Sequence, residues 1–180
     1  MIRLKSLLEI VDTELRELLN KIKTKQFRFI AAGDNGRVYE IDGSDRCFKI
    51  TQERSELEVA QIIVGRQSEF TTFIPVYYVD ATQSMYIMAN AEQLQEHAKL
   101  MIDKFMNQFK MYAREIGGEV SIFDYLDNDG ARNADPQLVN FLRALQQDVN
   151  RMGIDDLDLD LDFKSDNVML WNNKMVLVDW

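Results

Sequence analysis

From Phe27 onward the chain sets short β-like runs between strong turn signals, and this pattern limits what it can fold into more than its size or charge does. The runs "QFRFIAAG", "GRVYEIDG" and "RCFKIT" are separated by Gly-Asp-Asn-Gly and Asp-Gly-Ser, residue types that tight hairpins need. They predict a three-stranded meander. "ERSELEVAQIIVGRQ" then predicts a helix, "FIPVYYVD" and "SMYIMA" two further strands, and the stretch after Ala91 turns mainly helical. Strands, one helix, strands and then helices is the order of an α+β fold.

Before the first strand, Leu4, Leu8, Val11, Leu15, Leu18 and Ile22 recur at helical spacing, so residues 1–26 read as an amphipathic helix. Its apolar stripe is expected to pack on the rest of the domain. A dimer through this helix is the other use of such a stripe, but the pattern runs for only about three heptads. Leu94, Met101, Ile102, Phe105 and Phe109 predict a helix that ends at Gly117-Gly118. A second runs from Pro136, a favoured first-turn residue, to Gly153. The ending "NVMLWNNKMVLVDW" is two apolar runs around Asn172-Asn173, and asparagine tolerates the positive φ of a tight hairpin.

A chain of 180 residues suffices for one domain or two closely packed lobes. Cys47 is the only cysteine and lies in an apolar run, which points to a buried thiol in a reducing, cytoplasmic compartment. No apolar stretch approaches the roughly 20 residues of a membrane span, so neither signal peptide nor anchor is expected. A net charge of −9 with no basic stripe argues against nucleic-acid partners. His97, the one histidine, has polar helical neighbours and no second ligand, so zinc and serine-hydrolase chemistry lack their parts. Asp156, Asp158 and Asp160 begin like a calcium loop, but Leu161 stands where glycine is required and Asn167 where the closing glutamate belongs. The alternating leucines instead suit a strand, with Leu157, Leu159, Leu161 and Phe163 on one face.

Chemistry concentrates at the end of the sequence. Asp162, Lys164 and Asn167 stand as D-x-K-x-x-N, followed by the hairpin and Asp179. Phosphoryl transfer needs a carboxylate to deprotonate the attacking hydroxyl, and an amide oxygen with a second carboxylate to hold magnesium against the phosphates. The hairpin is expected to bring Asp179 beside Asn167. The bland alternative is a loop of solvated acids.

Upstream features in the right order favour the first reading, and together the residues from Phe27 to Trp180 resemble the protein-kinase-like superfamily. The layout is most similar to the short kinase-like proteins encoded by bacteriophages. "AAGDNGRVYEI" resembles the glycine-rich loop, with Gly33, Gly36 and Val38 in family places and Ala31 where the first glycine stands. "CFKIT" resembles the third strand, with Lys49 as the lysine for the α- and β-phosphates and its side chain toward the cleft. Glu58 is preferred as its carboxylate partner because Ile62 and Ile63 follow it; Glu56 is the reserve. "MYIMANAEQL" resembles the strand into the hinge, with Met88 as gatekeeper and Ala89 to Ala91 offering backbone hydrogen bonds to adenine.

The resemblance implies a two-lobed, kinase-like α+β fold. The N-terminal amphipathic helix (1–26) is an addition, the strand-rich lobe spans 27–91, and a reduced helical C-lobe spans 92–180. ATP and Mg²⁺ are the implied cofactors, with ATP between the lobes, Asn167 and Asp179 on the metal, Asp162 as catalytic base and Lys164 neutralising the transferring phosphoryl. Departures narrow this. Asp160-Leu161 replaces the usual His-Arg, the ending is Asp179-Trp180 with no glycine, and the sequence stops where a protein kinase would continue into its activation segment. A kinase acting on protein hydroxyls, of a host or of itself, is the first expectation, in host cytoplasm if phage-encoded. The second is a kinase-fold module that binds a partner protein; the third, suggested by Asp179-Trp180, is a small-molecule kinase.

Overall fold

A computed structural model of the chain describes residues 4–33, 36–117, 120–153 and 163–180, with side chains from residue 13 onward. The fold is α+β. It divides into two compact units, one of residues 1–65 and 75–90, the other of residues 66–74 and 91–180.

The first unit holds helix α1 (Leu4–Lys23), strands β1 (Phe27–Ala32), β2 (Gly36–Ile41) and β3 (Arg46–Thr51), helix α2 (Arg54–Ile63), and strands β4 (Val76–Asp80) and β5 (Met85–Ala89). All neighbouring strands are antiparallel, in the order β1-β2-β3-β5-β4. This is the expected meander with two later strands added at its β3 edge. Gly33 N–H donates to Gly36 C=O at 3.0 Å across the β1–β2 turn, and Gly43 takes a positive φ of 64° in the next.

Because side chains alternate along a strand, the pairing sorts this sheet into two faces. Phe48 lies opposite Tyr39 and Ile87, while Lys49 lies opposite Val38 and Tyr86. On the Phe48 face, Leu18 of α1 joins Ile41, Phe48, Met85 and Ile87 in a buried cluster, with Leu15, Leu19 and Ile22 packed against it. Phe27, Tyr39 and Phe48 add edge-on and stacked ring contacts at 5.0–5.2 Å. The described part of the α1 stripe is therefore used inside its own unit, and each fully buried side chain of this kind contributes about 1.5–3 kcal/mol.

The second unit holds a short strand β6 (Glu92–Gln93) and helix α3 (Glu96–Ile116). Helices α4 (Ile122–Tyr125), α5 (Ala131–Asn133) and α6 (Pro136–Met152) follow, then strands β7 (Val168–Trp171) and β8 (Lys174–Leu177). A π-helical turn at Leu126–Gly130 joins α4 to α5. The ends of α6 follow the sequence signals: Asp135 caps the Gln137 amide at 2.8 Å, Pro136 starts the first turn, and Gly153 closes it in the left-handed conformation. Asn172 and Asn173 both take positive φ, 50° and 61°, in the β7–β8 hairpin. Strand β6, only two residues long, carries no periodicity and is not legible in the sequence.

Residues 66–74 belong to the second unit although they fall inside the 27–91 span expected for the first lobe. The cause is polar. The buried Asp148 of α6 accepts from Thr72 N–H at 2.9 Å and Thr72 Oγ1 at 2.8 Å, and also pairs with Arg151 at 2.9 Å. Leu177 N–H donates to Thr72 C=O at 2.7 Å and Ile74 N–H to Leu177 C=O at 2.9 Å, so this segment lies along β8.

Candidate active site

In the first unit the chemistry lies on the sheet face away from α1. Lys49 sits at the centre of β3, 4% exposed, and its Nζ meets Glu56 Oε1 at 2.5 Å. Glu56 is 1% exposed. The partner is thus Glu56, and the preference for Glu58 is corrected: Glu58 is exposed and pairs with Arg54 at 2.9 Å along the outside of α2. Helical phase decides this. Glu56, Val59, Ala60 and Ile63 share the buried stripe of α2, at intervals of three, four and seven residues, while Glu58 is about 200° round the helix from Glu56.

Two further residues shape this face. The wholly buried Tyr86 of β5, opposite Lys49, donates its hydroxyl to the same Glu56 oxygen at 2.5 Å. Gly36 opens β2 against β3, where a Cβ would stand 2.8 Å from both the Ile50 carbonyl oxygen and Lys49 Cε. At Gly33 no atom of the described residues lies within 4 Å of such a Cβ, so their packing gives no reason for its glycine. Val38 is opposite Lys49 and half-buried. Tyr86 lies outside the set of residues that the sequence motifs mark. The signal for it was a tyrosine inside the apolar run "SMYIMA", whose hydroxyl needs a partner once the strand is buried.

Met88 is buried opposite Cys47. Of the backbone donors expected for adenine, Ala89 N–H is engaged with Pro75 C=O at 3.0 Å and Asn90 N–H with Asp45 C=O at 2.9 Å. The Cys47 thiol approaches the Ala89 carbonyl at 3.4 Å. Burial pushes the Cys47 thiol up to about 12, with the Glu40 carboxylate adding to the shift.

In the second unit, the β7–β8 hairpin pairs Val168 with Leu177, and Val178 N–H donates to Asn167 C=O at 2.9 Å. The residue before Asp179 is thereby bonded to Asn167. Asn167 is buried at the end of a 3₁₀ turn (Ser165–Asn167) whose last amide donates to Lys164 C=O at 3.0 Å. Trp180 is buried edge-on against Phe73, ring centres 5.6 Å apart, which fixes the backbone beyond Asp179. Phe163 stacks on Phe141 at 6.2 Å and anchors the start of this loop. Lys164 is exposed and, with Phe163, Asp103, Met106, Asn107 and Lys110, lines a concavity of about 270 Å³. Asp162 and the acidic run before it lie outside the described residues.

Asn167 and Asp179 offer a carboxamide and a carboxylate, hard oxygen donors of the type magnesium takes while leaving positions for phosphate and water. The donor set fits that ion. Among the described residues no cluster of three or more histidine, cysteine, aspartate or glutamate side chains could hold a metal ion. Nor, among them, is any helix long and apolar enough to cross a membrane.

No protein-family model matches the chain, and no curated protein matches it. Among solved structures it is similar to the streptomycin–ATP–APH(2")-IIa ternary complex, at 15% sequence identity and a TM-score of 0.35, over 99% of this chain and 71% of that one.

Proposed function

We propose that the chain is an ATP- and Mg²⁺-dependent phosphotransferase of reduced kinase-like fold, acting on protein hydroxyls. The observation that carries the reading is the buried Lys49–Glu56 pair on the β3 face, with Gly36 closing against the lysine stem. Burying an ammonium and a carboxylate is costly and gives a scaffold little that apolar residues would not give as well. A site that must grip phosphates has a use for it.

In this reading Glu56 orients Lys49, whose ammonium holds the α- and β-phosphates, and backbone amides around Gly33 and Gly36 approach the phosphate chain. Asn167 and Asp179 hold Mg²⁺, which when bound neutralises charge on the phosphates. Asp162 takes the proton of the acceptor hydroxyl, and Lys164 offsets charge on the phosphoryl group as it moves. Met88, Ala89 and Ala91 line the adenine end. Work on Mg²⁺ and ATP, and the lone reduced cysteine, suit the cytoplasm.

The test is label transfer from γ-labelled ATP with Mg²⁺, with and without cell lysate, beside Asp162→Asn. Transfer to protein that falls about a hundredfold or more in the variant is expected. Equal transfer by both proteins removes Asp162 from the mechanism. Nucleotide binding with no transfer leaves a kinase-fold binding module, and transfer only to small molecules replaces the protein acceptor.

A further inference from the structure

The phenol of Tyr86 has no part in that reading, yet it is wholly buried and bonded to the Glu56 carboxylate. Its ring is wholly buried on β5, directly opposite Lys49. Its hydroxyl donates to Glu56 Oε1 at 2.5 Å, and that one oxygen also receives Lys49 Nζ at 2.5 Å. Both bonds are charge-assisted, the stronger class of hydrogen bond.

A glutamate on the first turn of a helix has three side-chain torsions, and a lysine on its own flexible stem does not by itself fix them. A donor on a central strand does. Tyr86 has two torsions, both set by burial, and β5 is paired on each side, with β3 and with β4. Helix α2 itself is closely tied: only Gln52 and Glu53 separate it from β3, and Glu53 N–H donates to Thr51 Oγ1 at 3.0 Å. Val59, Ala60 and Ile63 bury the rest of its inner stripe.

We propose that Tyr86 is a positioning residue that locks Glu56, and through it the Lys49 ammonium, in the phosphate-binding arrangement before nucleotide arrives. The inference rests on the assignment of Lys49 to the phosphates. It adds a regulatory consequence: the lysine–glutamate pair is built in and does not wait for a modification or a partner to push α2 inward.

The experiment measures Mg²⁺-ATP affinity by calorimetry on the full chain, below each variant's unfolding midpoint. The proteins are wild type, Tyr86→Phe, Glu56→Met, the double variant and Lys49→Met. Tyr86→Phe keeps the ring and its packing, and weakens affinity about tenfold or more, as expected for losing a bond to a charged group. In the Glu56→Met background the same change has a much smaller effect, because the acceptor of this bond is gone. Wild-type affinity in Tyr86→Phe overturns the inference, and so does an equal loss with and without Glu56, since the phenol would then act through packing alone. Should Glu56→Met fail to fold, the single Tyr86→Phe comparison decides. A wild type that does not bind, or a Lys49→Met variant that binds unchanged, removes the assignment of Lys49 and the inference with it. Loss in Lys49→Met beside wild-type affinity in Tyr86→Phe removes only the inference.

Discussion

Lys49 Nζ lies 2.5 Å from Glu56 Oε1, and the two side chains are all but sealed from solvent. Breaking such a pair removes the carboxylate 2.5 Å from a buried ammonium, so Glu56→Ala is expected to lower stability by about 3–5 kcal/mol. Glu58→Ala removes only an exposed ion pair with Arg54 on the outside of α2, and is expected to cost less than about 1 kcal/mol. Urea unfolding of the two variants separates them. Similar losses for both would contradict the assignment of Glu56 as the buried partner.

Gly36 and Gly33 stand at the two ends of one turn but do different things. A methyl at Gly36 meets the Ile50 carbonyl oxygen and Lys49 Cε at 2.8 Å, and the carbonyl belongs to a paired strand that yields little. Gly36→Ala is therefore expected to destabilise by about 1–3 kcal/mol and to displace the Lys49 stem, weakening nucleotide binding as well. Gly33→Ala meets no atom of the described residues within 4 Å and is expected to keep wild-type stability. Thermal unfolding of both proteins is the measurement, and equal midpoints would count against the close approach at Gly36.

What the sequence made legible were the features with a local cause. The Asn172-Asn173 hairpin and the Pro136-to-Gly153 helix depend on residues that favour one backbone conformation, and both stand where those residues put them. Glu56 was also within reach: stepping back three, four and seven residues from the apolar Val59, Ala60 and Ile63 lands on it, whereas weighting Ile62 and Ile63 together pointed to Glu58. The placement of residues 66–74 was not, because it depends on Thr72 meeting Asp148, 76 positions away, through a buried carboxylate that nothing nearby announces. The Tyr86 bond to Glu56 is of the same kind: β5 is buried on both faces, so only its register against β3 decides that Tyr86 shares the Lys49 face and lies opposite Lys49.

Cys47 ties stability to pH. Its folded thiol is pushed up to about 12 by burial, while in the unfolded chain it ionises near the ordinary value of about 8.5. Between those values the unfolded chain gives up a proton that the folded chain keeps, so rising pH favours unfolding. The thiol's contribution is fully present below about pH 8.5 and is lost at up to about 1.4 kcal/mol per pH unit above it. Lysines and tyrosines also titrate in that range, so the comparison is with Cys47→Ala, which retains their contribution. The stability difference between wild type and variant, measured by urea unfolding from pH 8 to about 10.5, is expected to shift steadily in the variant's favour. Parallel curves would mean that the thiol ionises equally in both states.

Asp179 carries the last test, because it separates metal binding from nucleotide binding in general. The hairpin bonds Val178 to Asn167, and Trp180 is packed on Phe73, so replacing the carboxylate leaves the backbone on both sides held. Asp179→Asn keeps the shape and one oxygen but removes the charge that a small, hard dication prefers. ATP binding measured without metal is expected to match the wild type, while the gain on adding Mg²⁺ shrinks about tenfold or more. Asn167→Ala is expected to reduce the same gain, with an added stability cost from emptying a buried site. A Mg²⁺ gain that survives both substitutions would place the metal elsewhere on the chain and remove these two residues from the phosphotransfer reading.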